Sequence, residues 1–146
     1  MLKVAMQGTC SYLKYCIEKE QFGRKINLVV RNKQVNRKMD IIFLLLSDGW
    51  FSVWAAIESQ NFLYSYLVDD SKVRVGTKLC LCLWNLHPFS NILNYCSDRK
   101  STNICIEFFY NGSILLKPNA KLGHTNEEFY RPLNKCRQRG GLIPVV

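Results

Sequence analysis

No apolar run in this 146-residue chain approaches the roughly 20 residues that a membrane-spanning helix requires; runs such as Ile41 to Leu46 are far shorter, and no spanning segment is expected. The N-terminus lacks the apolar core of a secretory signal. The seven cysteines are an odd set with no Cys-x-x-Cys pair, which points to a reducing compartment and away from a disulfide framework. Cys80, Cys82, His87 and Cys96 are the one conceivable zinc set. Cys80 and Cys82, however, alternate with Leu79, Leu81 and Leu83 as in a strand, whereas zinc ligands converge from a turn, so they read as core thiols and no metal is expected. Histidine is scarce: only His87 and His124 occur, both in polar stretches, and there is neither a phosphate-cradling glycine loop nor a paired-carboxylate motif. The chain is therefore not expected to be an enzyme or to carry a cofactor. Acidic residues are also few, 11 against 20 basic ones, and the net charge of +9 favours a polyanionic partner.

What is present suffices for one domain with a core, since 48% of residues are hydrophobic and 12% aromatic. The Asp48-Gly49 break between two apolar runs predicts a hairpin. Ile41 to Leu46 precede the break. After it Phe51, Val53, Ala55 and Ile57 alternate with Trp50, Ser52, Trp54 and Ala56, so one face enters a core and the other presents two indoles. Upstream, Tyr12, Leu13, Cys16 and Ile17 have helical spacing within Ser11 to Glu20, with Gly23 as the stop. Ile26, Leu28 and Val30 mark a first strand, and Asn32 to Lys38 breaks the pattern as a basic loop.

Downstream, Ser59 is placed to cap a short helix whose apolar stripe is Phe62, Leu63, Tyr66 and Leu67, ended by Asp69-Asp70-Ser71. Lys78 to Leu86 reads as one strand with Leu79, Leu81 and Leu83 inward and Lys78, Cys80, Cys82 and Trp84 outward. His87 to Asn103 reads as a polar loop, and Ile104, Ile106, Phe108 and Tyr110 as a fifth strand. This order, with one helix between strands three and four, is that of the OB-fold, a partly open five-stranded Greek-key barrel whose second and third strands and flanking loops bind oligonucleotides. The expected class is thus all-β with one helix in the barrel. A helical lead-in occupies 1–24, the OB-fold 25–125 and a basic C-terminal extension 126–146.

Half of the basic charge lies in two segments free of acidic residues: Arg24, Lys25, Arg31, Lys33, Arg37 and Lys38, and then Arg131, Lys135, Arg137 and Arg139. Single-stranded nucleic acid is held by a cationic groove and by stacking on exposed rings, at about 1–3 kcal/mol per base. That chemistry selects Arg31, Lys33, Arg37 and Lys38 as phosphate contacts bordering the groove, with Lys78 as an addition, and Trp50 and Trp54 as base platforms. The bland readings are that the basic runs are solvated loops, that Lys78 only keeps its strand soluble, and that Trp50 supports its turn. Trp54 would then pack under the leading helix or under Lys117 to His124. A competing class is an interaction module: the same cations would hold an acidic protein, and Tyr12 and Tyr15 would anchor a partner peptide.

Leu46-Ser47-Asp48-Gly49-Trp50-Phe51-Ser52-Val53-Trp54-Ala55, Val75-Gly76-Thr77-Lys78-Leu79, Tyr110-Asn111-Gly112-Ser113 and Lys121-Leu122-Gly123 resemble, in order and spacing, the first OB domain of the breast cancer type 2 susceptibility protein family. The resemblance covers about residues 12 to 146. Leu13 to Val30 is similar to the helix leading into the family's first strand, and Gly140 to Val146 to its join with a second OB domain. It implies a nuclear protein of double-strand break repair by homologous recombination, with single-stranded DNA and a small acidic protein as partners. Contact with a RecA-like recombinase is expected to be indirect, because no Phe-x-x-Ala sequence occurs. Against the family pattern, the indole of Trp54 stands where a polar or basic residue is expected, which makes it the sharpest stacking candidate.

Overall fold

The computed structural model describes residues 11–69, 71–88, 104–126, 135–138 and 140–143. In chain order these form helix α1 (Tyr12–Glu18), strands β1 (Ile26–Asn36), β2 (Ile41–Ser47) and β3 (Ser52–Glu58), and helix α2 (Phe62–Leu67). Strands β4 (Lys78–Leu81), β5 (Asn85–Pro88) and β6 (Ile104–Glu107) follow, then a 3-10 turn (Tyr110–Gly112), β7 (Ser113–Leu115) and β8 (Gly123–His124).

The predicted hairpin forms, with β2 and β3 antiparallel from Ile41 opposite Glu58 to Ser47 opposite Ser52. The sheet runs β5-β6-β3-β2-β1-β4-β7, and β8 pairs with Ile26 and Asn27 of β1 on the edge opposite β4. Since β4 and β5 are the two halves of the single strand expected over Lys78 to Leu86, the sheet curls until its fourth strand lies against both β1 and β6. The parallel β3–β6 pair completes the circuit. Inside are Ile26, Leu28 and Val30 of β1, Ile42, Leu44 and Leu46 of β2, Val53, Ala55 and Ile57 of β3, and Leu79 and Leu81 of β4. Leu13 and Cys16 of α1 and Leu63 and Leu67 of α2 pack on the same cluster.

Several expectations need correction. The first strand does not stop at Arg31 but runs to Asn36, because residues 32–36 pair with Ile41 to Leu45 of β2. A bulge at Arg31 reverses the alternation, and Lys33 and Val35 then face Leu44 and Ile42, both core residues. The cap of α2 is Asn61 rather than Ser59: its side chain accepts from Leu63 N at 3.0 Å and donates to the Phe108 carbonyl at 3.2 Å. Finally, His87 and Pro88 belong to β5, while 89–103, the rest of the expected polar loop, lie outside the described residues.

The fourth strand breaks at Leu83, whose φ of +60° is left-handed. Cys82 N donates to the Gly112 carbonyl at 2.8 Å and Leu83 N to the Gly23 carbonyl at 3.1 Å, so two other segments take the place of a sheet neighbour there. The break reverses the alternation again. Leu83 is 42% exposed, whereas Trp84, expected outside, is 1% exposed, in the core, with its Nε1 donating to the Arg24 carbonyl at 2.7 Å. A left-handed leucine costs about 1 kcal/mol or more. Leu83→Gly is therefore expected to stabilise the chain by about 0.5–1 kcal/mol, seen as a higher urea midpoint at constant slope. A lower midpoint would mean that the leucine side chain contributes more than its backbone costs.

Candidate nucleic-acid interface

At the β1–β2 end, Arg37 and Lys38 are exposed in the turn, while Arg31, in the middle of β1, is the exposed extra residue of the bulge. The turn is shaped by Asn36, whose Oδ1 accepts from Met39 N at 3.1 Å, and by the left-handed Asp40 at φ +52°. An open depression of about 470 Å³ is lined here by Gln34, Val35, Asn36, Arg37, Lys38 and Phe43. The Arg37 guanidinium, the Lys38 ammonium and side-chain amides around it are the donors that phosphate oxygens accept from.

The other predicted cations are committed elsewhere. Lys33 reaches from the inner side of β1 to donate to the Val73 carbonyl at 2.7 Å. Lys78 donates to the carbonyls of Pro118 and Ala120 at 2.6 and 2.7 Å, and so staples that turn across β4. Both were expected as phosphate contacts, and both instead tie down turns about 40 residues away.

The indoles separate in the same way. Trp50 is 67% exposed at the tip of the β2–β3 turn. Its backbone N–H donates to Asp48 Oδ1 at 3.0 Å, so an exposed ring stands on a fixed turn. Trp54, expected as the leading stacking platform, is 2% exposed and packs with Ile41, Phe43 and Cys105 on the outer face of the sheet. A ring without an open face cannot stack a base, and that expectation is corrected. Tyr12 and Tyr15 stack on each other at 6.2 Å, and Tyr12 meets His124 edge-on at 4.9 Å. Both rings are half-buried against the core. Burial raises the Tyr12 hydroxyl above its usual range, opposed by the nearby Arg24 guanidinium.

Cys80 and Cys82 are buried against Ile114 and Leu116, and Cys96 lies outside the described residues. Burial pushes the thiols of Cys16 and Cys82 up, away from thiolate character. No cluster of three metal-ligating side chains is found among the described residues.

Two residues matter more than their sequence suggested. Asp48, read only as a turn former, also binds the start of α1. Asn111, read only as part of a motif, holds Arg137 and Gly141. The signal for the second was the Gly140-Gly141 pair, which allows a backbone to come that close.

A curled sheet of this strand order, with a helix between its third and fourth strands and cations at the β1–β2 end, is an OB-fold binding module. Residues 12–126 match the family model described as BRCA2, oligonucleotide/oligosaccharide-binding, domain 1, and the chain belongs to that family. Comparison with curated proteins finds no match. Membership implies a module of BRCA2-like recombinational repair.

Proposed function

We propose that this chain is a non-catalytic, nuclear module of double-strand break repair by homologous recombination that contacts single-stranded DNA. Its phosphates lie at Arg31, Arg37 and Lys38, and a base stacks on Trp50. The observation that carries this reading is the polar depression at the β1–β2 end, which has Arg37 and Lys38 and no acidic residue in its lining. β2 separates it from Trp50, and its seven residues span about 23 Å, a length compatible with a few nucleotides. The strand would bridge the two ends without using the middle of the sheet, where Phe43 and Trp54 are closed to solvent.

That closed face favours a second reading, in which the same cations and the half-exposed Tyr12–Tyr15 pair hold a small acidic protein. Fluorescence anisotropy with labelled oligothymidine and duplex DNA, at low and physiological salt, separates the two. The native chain is expected to prefer the single strand. Arg37→Ala with Lys38→Ala should lower the salt slope by about 1.4, roughly 0.7 for each phosphate released. Trp50→Ala should cost about 1–3 kcal/mol at every salt concentration. If the folded native chain binds no single strand, the acidic-protein reading replaces this one.

A further inference from the structure

Arg137, Gly140 and Gly141, at the end of the second basic segment, are tied to the barrel by the buried Asn111. Asn111 is 0% exposed, and its Nδ2 donates to the carbonyls of Arg137 and Gly141, both at 2.9 Å. Its Oδ1 accepts from Arg137 N at 2.9 Å, and its own N–H donates to the Gly140 carbonyl at 2.8 Å. Glycine is required on the other side. A Cβ at Gly140 would lie 2.6 Å from Asn111 Oδ1, and one at Gly141, whose φ is +89°, would lie 2.5 Å from Phe109 Cβ.

This latch uses only main-chain atoms of the segment, and the side chains of Lys135 and Arg137 are left exposed. Lys25 belongs to the same end of the barrel. The Gly112 carbonyl accepts from Cys82 N and the Gly23 carbonyl from Leu83 N, so the stretches around 23, 82, 111 and 140 are successive neighbours at one end of the barrel. The Lys25 ammonium acts on the Cys82 thiol there, opposing the effect of burial. β1 joins this end to the first: Lys25 precedes its first residue and Arg37 follows its last, and 11 residues span about 36 Å.

The geometry points to a second phosphate-contact surface, in which the Asn111 latch positions Lys135 and Arg137 beside Lys25 so that a longer single strand is held at both ends of β1. This deepens the proposed function and rests on it. Asn111 is a positioning residue, while Lys135 and Arg137 make the contacts.

The test uses oligothymidines of about 5 and about 20 nucleotides, near the bottom of and above the range of about 4–16 that one OB-fold covers. Lys135→Ala with Arg137→Ala should weaken the longer strand several-fold and lower its salt slope by about 1.4, leaving the shorter strand unchanged. Asn111→Ala, which keeps both cations but releases the segment, should weaken the longer strand comparably. If that variant does not fold, Gly140→Val disturbs the latch from the segment's side. Native affinity and slope for the longer strand in the Lys135/Arg137 variant would overturn the second surface. In that case, weakening by the Arg37/Lys38 variant would still uphold the first. Weakening by the charge variant but by neither latch variant would overturn the positioning role. No binding of either length by the folded native chain overturns both surfaces.

Discussion

Asp48→Ala is expected to lower stability by about 3 kcal/mol, or about 10 °C in melting temperature for a chain of this size. The carboxylate is 5% exposed and serves two elements at once. Its Oδ2 accepts from Ser11 Oγ at 2.5 Å and from Leu13 N at 3.0 Å, at the start of α1. Its Oδ1 accepts from Trp50 N at 3.0 Å and Phe51 N at 2.9 Å, closing the β2–β3 turn. Ser11 in turn caps α1 by accepting from Lys14 N at 2.9 Å.

Alanine leaves those donors without an acceptor, and a buried donor left unpaired costs about 1–3 kcal/mol. Water reaching the turn recovers part of the loss, which is why the sum stays near 3 kcal/mol. Asp48→Asn keeps one acceptor oxygen and should lose about half as much. Ser11→Ala alone should cost about 1 kcal/mol, and the double variant should lose less than the sum because the two side chains share a bond. Calorimetry on the native chain and the four variants decides it: an Asp48→Ala melting temperature within a few degrees of native would mean that the carboxylate does not join helix and turn.

The hairpin was legible because its information is local: an Asp-Gly break and a period of two on either side. The errors in the fold are mostly errors of parity. A bulge at Arg31 and a left-handed residue at Leu83 each shift the alternation by one, and one step moves every later side chain to the opposite face. Lys33 and Trp84 went inward for that reason. Neither Arg31 nor Leu83 carries a local signal, since the causes are strand β2 in one case and the Gly23 and Gly112 carbonyls in the other.

In the site, Arg31, Arg37 and Lys38 are exposed, as a phosphate contact requires. The role of Lys78 was not legible, because the carbonyls it serves lie in a turn 40 and 42 residues away. The fate of Trp54 could not be read from alternation at all. Its outer face carries Ile41, Phe43 and Cys105 as well, and an apolar outer face marks a second buried layer rather than an open groove.

Trp54→Ala is expected to cost about 3–5 kcal/mol, a large part of the 5–15 kcal/mol that holds a typical domain together. It empties the centre of the outer cluster. Trp54→Phe refills most of the volume and should keep the melting temperature near native, with single-strand affinity unchanged. Trp50→Ala should do the reverse: stability within about 0.5 kcal/mol of native, as for a surface site, but weaker binding to single strands. Fluorescence distinguishes the two residues in the native protein, because of the three indoles Trp50 is 67% exposed, Trp54 2% and Trp84 1%. Acrylamide and bound oligonucleotide should therefore quench the same fraction of the emission, and Trp50→Ala should abolish it. If Trp54→Phe instead melts like the native chain but loses single-strand binding, the outer face must open to admit a base, and the stacking role passes from Trp50 to Trp54.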